Sequence, residues 1–160
     1  MSLFRSLKIV AALALAETAA VPATAQNFNA DPNYGTVNLR TGFTPDPHVT
    51  NLRSGGSTDA ASAIGGSCRG FIANAPDVRL NFTAGSLPLI ISANSGSDTT
   101  LIVNGPDGRW YCDDDGGENG LNPAVRFNNP QSGRYEIWVG TYGNSSLQPA
   151  QLHISELYSE

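Results

Sequence analysis

Residues 112–120 read Cys-Asp-Asp-Asp-Gly-Gly-Glu-Asn-Gly and place Asp113, Asp114, Asp115 and Glu118 close together on a glycine-rich stretch. Carboxylates this close repel one another unless a cation or water screens them. Calcium is the cation whose chemistry suits them, because it takes roughly six to eight oxygen ligands in flexible geometry and accepts loop carbonyls as readily as carboxylates. A fifth acid enters through a hairpin. Asp98 to Asn104 and Arg109 to Asp115 flank Gly105-Pro106-Asp107-Gly108, which reads as a four-residue turn. Pairing Asn104 with Arg109 sets Asp98 opposite Asp115 and Thr100 opposite Asp113. The expected calcium ligands are therefore Asp98, Asp113 and Asp115, with Asp114 or Glu118 in addition. The run lacks the Asp-x-Asp-x-Asp-Gly spacing and distant Glu of an EF-hand. Two other readings stand beside calcium. One is a solvated acidic turn. The other is a glycosidase acid–base pair, which needs two separated carboxyls across a cleft that the sequence does not show.

Nucleophilic catalysis finds less support. The chain has two histidines, His48 in a Pro-Asp-Pro-His turn and His153 alternating outward on the last strand. A serine nucleophile needs a histidine base beside it, and neither a Gly-Asp-Ser-Gly-Gly loop nor Gly-x-Ser-x-Gly occurs. The sole lysine, Lys8, lies in an N-terminal leader, so Schiff-base and P-loop lysine chemistry have no residue to use. Cys68 and Cys112 in an exported chain form one disulfide by default.

Short strands must position these groups. Val78-Arg79-Leu80-Asn81-Phe82 alternates apolar and polar residues, as does Arg134 to Val139, with Tyr135, Ile137 and Val139 on the inner face. Leu87 to Ala93 is a nearly continuous apolar strand. Ala124 to Phe127 and Gln151 to Ser155 add two more, and weaker strand signals fall at Val37 to Leu39 and His48 to Arg53. About eight antiparallel strands at roughly ten-residue spacing predict a two-sheet, jelly-roll-like β-sandwich. Alternation sends Trp138 to the outer face with Arg134 and Glu136. There Trp138 and Arg134 either meet a ligand such as a sugar ring, or Trp138 is covered by Trp110, Tyr111 or a loop.

Composition agrees with this class. Of 160 residues 14% are charged, well below the average of about 25%, and 17 Gly with 10 Pro punctuate the chain. Met1 to Ala25 has the positive start, short apolar core and Ala-Thr-Ala end of a secretory signal peptide. Residues 26–60 read as an N-terminal extension with short strands, and 61–160 as the sandwich. The remaining chain carries seven arginines against thirteen acids. An acidic chain is a poor nucleic-acid binder, and no apolar run after the leader is long enough to span a membrane.

The stretch from Cys68 to Glu156 resembles bacterial pre-peptidase C-terminal-like β-sandwich domains. More narrowly, the chain is similar to small secreted alphaproteobacterial proteins often labelled chymotrypsin-like serine peptidases. The likeness rests on Tyr34-Gly35, Gly42-Phe43-Thr44-Pro45-Asp46-Pro47, Cys68-Arg69-Gly70, Ala75-Pro76-Asp77-Val78-Arg79-Leu80, Ser97-Asp98-Thr99-Thr100-Leu101, Pro106-Asp107-Gly108-Arg109-Trp110, Cys112-Asp113-Asp114-Asp115, Ser132-Gly133-Arg134-Tyr135 and Ile137-Trp138-Val139-Gly140. The resemblance implies a secreted, non-catalytic sandwich that accompanies or assists exported enzymes, sometimes with bound calcium. The expected partner is an extracellular protein or glycan, and the expected location the medium or the periplasm. The peptidase label lacks the residues it requires. A hydrolase-associated protein acting on extracellular protein or polysaccharide, and an extracellular structural subunit, are the rival expectations.

Overall fold

The computed structural model describes residues 26–160, and the expected signal peptide lies outside them. The elements are β1 (Thr36–Arg40), β2 (His48–Ser54), β3 (Thr58–Asp59), α1 (Ala60–Ala63), β4 (Phe71–Ile72), β5 (Val78–Thr83), β6 (Leu89–Ser95), β7 (Thr99–Asn104), β8 (Trp110–Asp113), β9 (Ala124–Phe127), β10 (Gly133–Thr141) and β11 (Gln148–Ser155). They form a β-sandwich of a seven-stranded and a four-stranded sheet.

The first sheet is organised around β10. Its residues 136–141 pair with β7, which continues to β8. Along its other edge, residues 133–137 pair with β5 and Thr141 pairs with Phe71 of β4. The second sheet runs β2-β11-β6-β9, antiparallel throughout. One pairing departs from the antiparallel expectation: β1 lies parallel to β5, with Thr36 opposite Arg79 and Arg40 opposite Thr83. Residues 26–60 thus supply an edge strand to each sheet and are woven into the sandwich rather than preceding it. The cause is legible in the residues, since Val37 and Leu39 pack on the core from β1 and Leu52 is buried from β2.

Alternation fills the space between the sheets. Val78, Leu80 and Phe82, Leu101 and Val103, and Tyr135, Ile137 and Val139 face inward from the first sheet, against Leu89, Ile91, Ala93, Leu152 and Ile154 of the second. Each fully buried aliphatic side chain there contributes about 1.5–3 kcal/mol relative to exposure. A second, smaller core covers the first sheet's outer face, where Ala60, Cys68, Ile72, Ile102 and Trp138 pack together with Ile64, Trp110 and Cys112 at their edge. The segment that covers this face is held by the Cys68–Cys112 disulfide, with Cα atoms 5.0 Å apart. Its single helical turn is capped by Asp59, whose carboxylate accepts from the Ala61 amide at 3.0 Å.

The β7–β8 hairpin differs from the expected register by one residue. Leu101 lies opposite Asp113 and Asn104 opposite Trp110. The Gly105 amide donates to the Arg109 carbonyl at 2.9 Å, and the Gly108 amide to the Gly105 carbonyl at 2.9 Å. Gly105 therefore pairs with Arg109 and the loop is Pro106-Asp107-Gly108, a three-residue connection with a left-handed glycine, Gly108 at φ +73°. A turn that needs a positive φ at its last position takes Gly there, and this lengthens the β8 side by one residue. A slip of one residue moves side chains to the opposite face, so Asp113 shares the face of Leu101 rather than that of Thr100.

Candidate functional site

The loops that join β6 to β7, β8 to β9 and β10 to β11 meet at one end of the sandwich. The Tyr142 amide donates to the Asp98 carbonyl at 3.0 Å, and the Thr99 amide to the Leu121 carbonyl at 3.2 Å. Asn122 locks these loops from within. Its buried side chain accepts from the Ser95 amide at 3.0 Å and the Thr99 hydroxyl at 3.1 Å, and donates to the carbonyls of Asn119 at 2.8 Å and Ser95 at 3.2 Å. A hollow of about 220 Å³ opens beside it, lined among others by Ser97, Asp98, Asn119 and Leu121.

Three apolar side chains at this end stay in water: Leu121 is 55% exposed, Leu147 50% and Tyr142 45%. Asp98, whose segment bonds to the Tyr142 and Leu121 backbones, is half-buried. Burial holds its carboxyl above the usual carboxylate range, and the charges of Asp115 and Asp114 push the same way.

The expected calcium ligand set is not assembled. Because of the register slip, the Asp113 carboxylate turns toward the start of β9, where one oxygen accepts from the Gly116 amide at 2.7 Å and the Ala124 amide at 2.9 Å. It ties its own loop to the second sheet. Glu118 is exposed, and its backbone amide donates to the Glu160 carbonyl at 2.9 Å. Among the described residues, no group of three or more His, Cys, Asp or Glu is arranged to hold a metal ion.

Trp138 is on the outer face as alternation requires, but it is fully buried in the second core, with the Trp110 ring centroid 5.5 Å away. A ligand does not reach it. Arg134 is committed as well: its guanidinium lies 2.9 Å from the Glu136 carboxylate and donates to the Asn29 side chain at 2.9 Å. Glu136 also receives Arg79 at 2.6 Å, so these residues clamp the segment at Asn29 and Ala30 to the sheet.

The histidines fall in the second sheet. His48 pairs in register with Ile154 on β11. His153 is buried, opposite Ser92 on β6, and its Nδ1 lies 3.4 Å from the Glu160 carboxylate. Burial pushes its imidazole down, and Glu160 partly opposes that. Ser92, His153 and Glu160 lie together, but the Ser92 hydroxyl accepts from the Glu160 amide at 3.1 Å and neither ring nitrogen of His153 has a hydrogen-bond partner. A nucleophile–base hydrogen bond is the geometry such chemistry requires.

No protein-family profile matches this chain, and no curated protein sequence does. The chain is similar to a lysozyme-inhibitor structure. That structure is PliG of Aeromonas hydrophila, a periplasmic inhibitor of g-type lysozyme. The two share 17% identity at a TM-score of 0.39, over 79% of this chain and 98% of that one. No functional residue is carried over from PliG.

Sequence reasoning missed Leu121, Tyr142, Leu147 and Asn122. Their signal was nevertheless present: Leu121 and Leu147 are apolar residues inside Gly-, Asn- and Ser-rich loops, and Tyr142 follows the last inward residue of β10. Apolar residues at such positions lack a strand to bury them. No helix of the described residues is long and apolar enough to cross a membrane.

Proposed function

We propose that this protein is an exported, non-catalytic binding module, accessory to exported enzymes, that engages an extracellular macromolecule through the loop end of its sandwich. The observation that carries this reading is the exposure of Leu121 and Tyr142 on loops whose backbones both bond into the Asp98 segment. Surface apolar residues are unremarkable singly, whereas several side by side on loops of a rigid scaffold are a binding feature. The loop that carries Leu121 is fixed by Asn122 and Asp113, so this part of the surface is preorganised and little ordering cost opposes binding there.

The test is comparative enrichment from the envelope and medium of the producing cell. Tagged wild-type chain is run beside a Leu121→Ser/Tyr142→Ser variant, with bound material identified by mass spectrometry. A partner retained by wild type and lost by the equally folded variant supports the proposal. Identical retention by both places the function elsewhere on the molecule.

A further inference from the structure

The loop end joins apolar exposure to an unbalanced charge, and together these specify the partner. No described arginine forms an ion pair with the acids of the loop end. Arg79 and Arg134 meet Glu136, and Arg109 meets Asp107. Arg69 donates to the carbonyls of Gly66 and Cys68, and Arg126 to the Asn128 side chain. Arg53 borders the loop end but donates to the Leu147 carbonyl at 2.7 Å. Asp98, Asp114, Asp115 and Glu118 enter no ion pair within the described residues. Among the described residues, the negative charge around Leu121 and Tyr142 therefore has no ion-pair partner.

Resting on the binding-module reading, we infer that the occupant of the loop end is a cationic protein surface: arginine or lysine side chains flanking an apolar or aromatic contact. Each alternative uses only part of the surface. Nucleic acid and anionic lipid are repelled by the four carboxylates. A bare divalent cation satisfies charge but leaves Leu121, Tyr142 and Leu147 in water. A neutral glycan leaves the carboxylates without a counter-charge. An arginine-bearing protein surface meets both demands, since guanidinium groups pair with carboxylates and stack on Tyr142 while apolar neighbours cover Leu121. Complementary charge of this kind speeds encounter and sets partner choice, and it is screened by salt.

The experiment selects ligands from a random-peptide display library on the immobilised mature chain, then measures binding of the enriched peptides. The inference expects enrichment of arginine or lysine beside aromatic or aliphatic residues. Affinity should fall about tenfold from low to high salt, and about tenfold in an Asp98→Asn/Asp115→Asn variant. Replacing peptide arginines by citrulline should cause a similar loss. Peptides without excess cationic residues, or binding at this surface that ignores salt and both aspartates, overturn the cationic-partner inference and leave the binding-module reading standing. Peptides whose binding ignores Leu121→Ser and Tyr142→Ser overturn the surface itself. Stoichiometric displacement of peptide by calcium chloride overturns the inference in favour of a metal site.

Discussion

Asp77 offers the sharpest physical test of the fold. It is almost fully buried before β5, its Oδ2 accepts from the Val139 amide at 2.8 Å, and its Oδ1 accepts from the Asn33 side chain at 3.3 Å. No arginine pairs with it among the described residues. Burial pushes its carboxyl from 3.8 up to about 7, with the two hydrogen bonds opposing. The folded protein therefore holds the Asp77 proton more tightly than the unfolded chain does. Between these two pH values the folded state binds more protons, so stability falls as pH rises. The stabilisation is complete below about pH 4 and is lost as pH rises through about 7. It amounts to at most about 4 kcal/mol. Asp77→Asn keeps an acceptor for Val139 but cannot ionise. Urea unfolding of wild type and variant across this range isolates the effect, because contributions from His153, Asp98 and Glu136 are common to both. The difference between the two proteins should move by several kcal/mol in favour of the variant as pH rises from about 4 to about 8. A difference that stays constant refutes the reasoning that Asp77 titrates between those values.

Other perturbations probe separate parts of the account. Denaturing thiol titration without reductant should find no free thiol, and reduction of Cys68–Cys112 should cost about 4 kcal/mol in the chain-entropy description, whereas two titratable thiols contradict the structure. Trp138→Ala should cost about 3–5 kcal/mol by opening the second core, while Trp138→Phe should cost less because it removes an indole N–H that is buried without a partner. Asp113→Ala leaves the Gly116 and Ala124 amides without their acceptor and should cost about 1–3 kcal/mol, equally in calcium and in chelator; a calcium-dependent difference would restore the metal reading.

The β-sandwich was legible because alternation in Val78 to Phe82 and Arg134 to Val139 leaves one consistent inner face. The short pairs Thr58–Asp59 and Phe71–Ile72 were not, since two residues carry no period. The parallel placement of β1 depends on a long-range partner rather than on local pattern. Trp138 shows a different limit. Its outward direction followed from alternation and its cover by Trp110 or a loop was one of the two expectations, but that residues 59–72 supply the cover depends on long-range packing. The acidic site was read one residue out of step because Gly108 adopts a left-handed conformation that four Gly/Pro/Asp turn residues do not announce. Leu121, Tyr142 and Leu147 stand in loops without a period, so no local pattern separates them from buried apolar residues.

Site-specific photocrosslinking in the producing cell tests the central claim most directly. A photoreactive side chain replaces Tyr142 at the loop end in one strain and Asp107, in the turn between β7 and β8, in another. The binding-module account predicts a discrete crosslinked adduct with an extracellular protein from position 142, absent from position 107 and reduced when Leu121→Ser or Asp98→Asn is added. No adduct from position 142, or the same adduct from both positions, would contradict it.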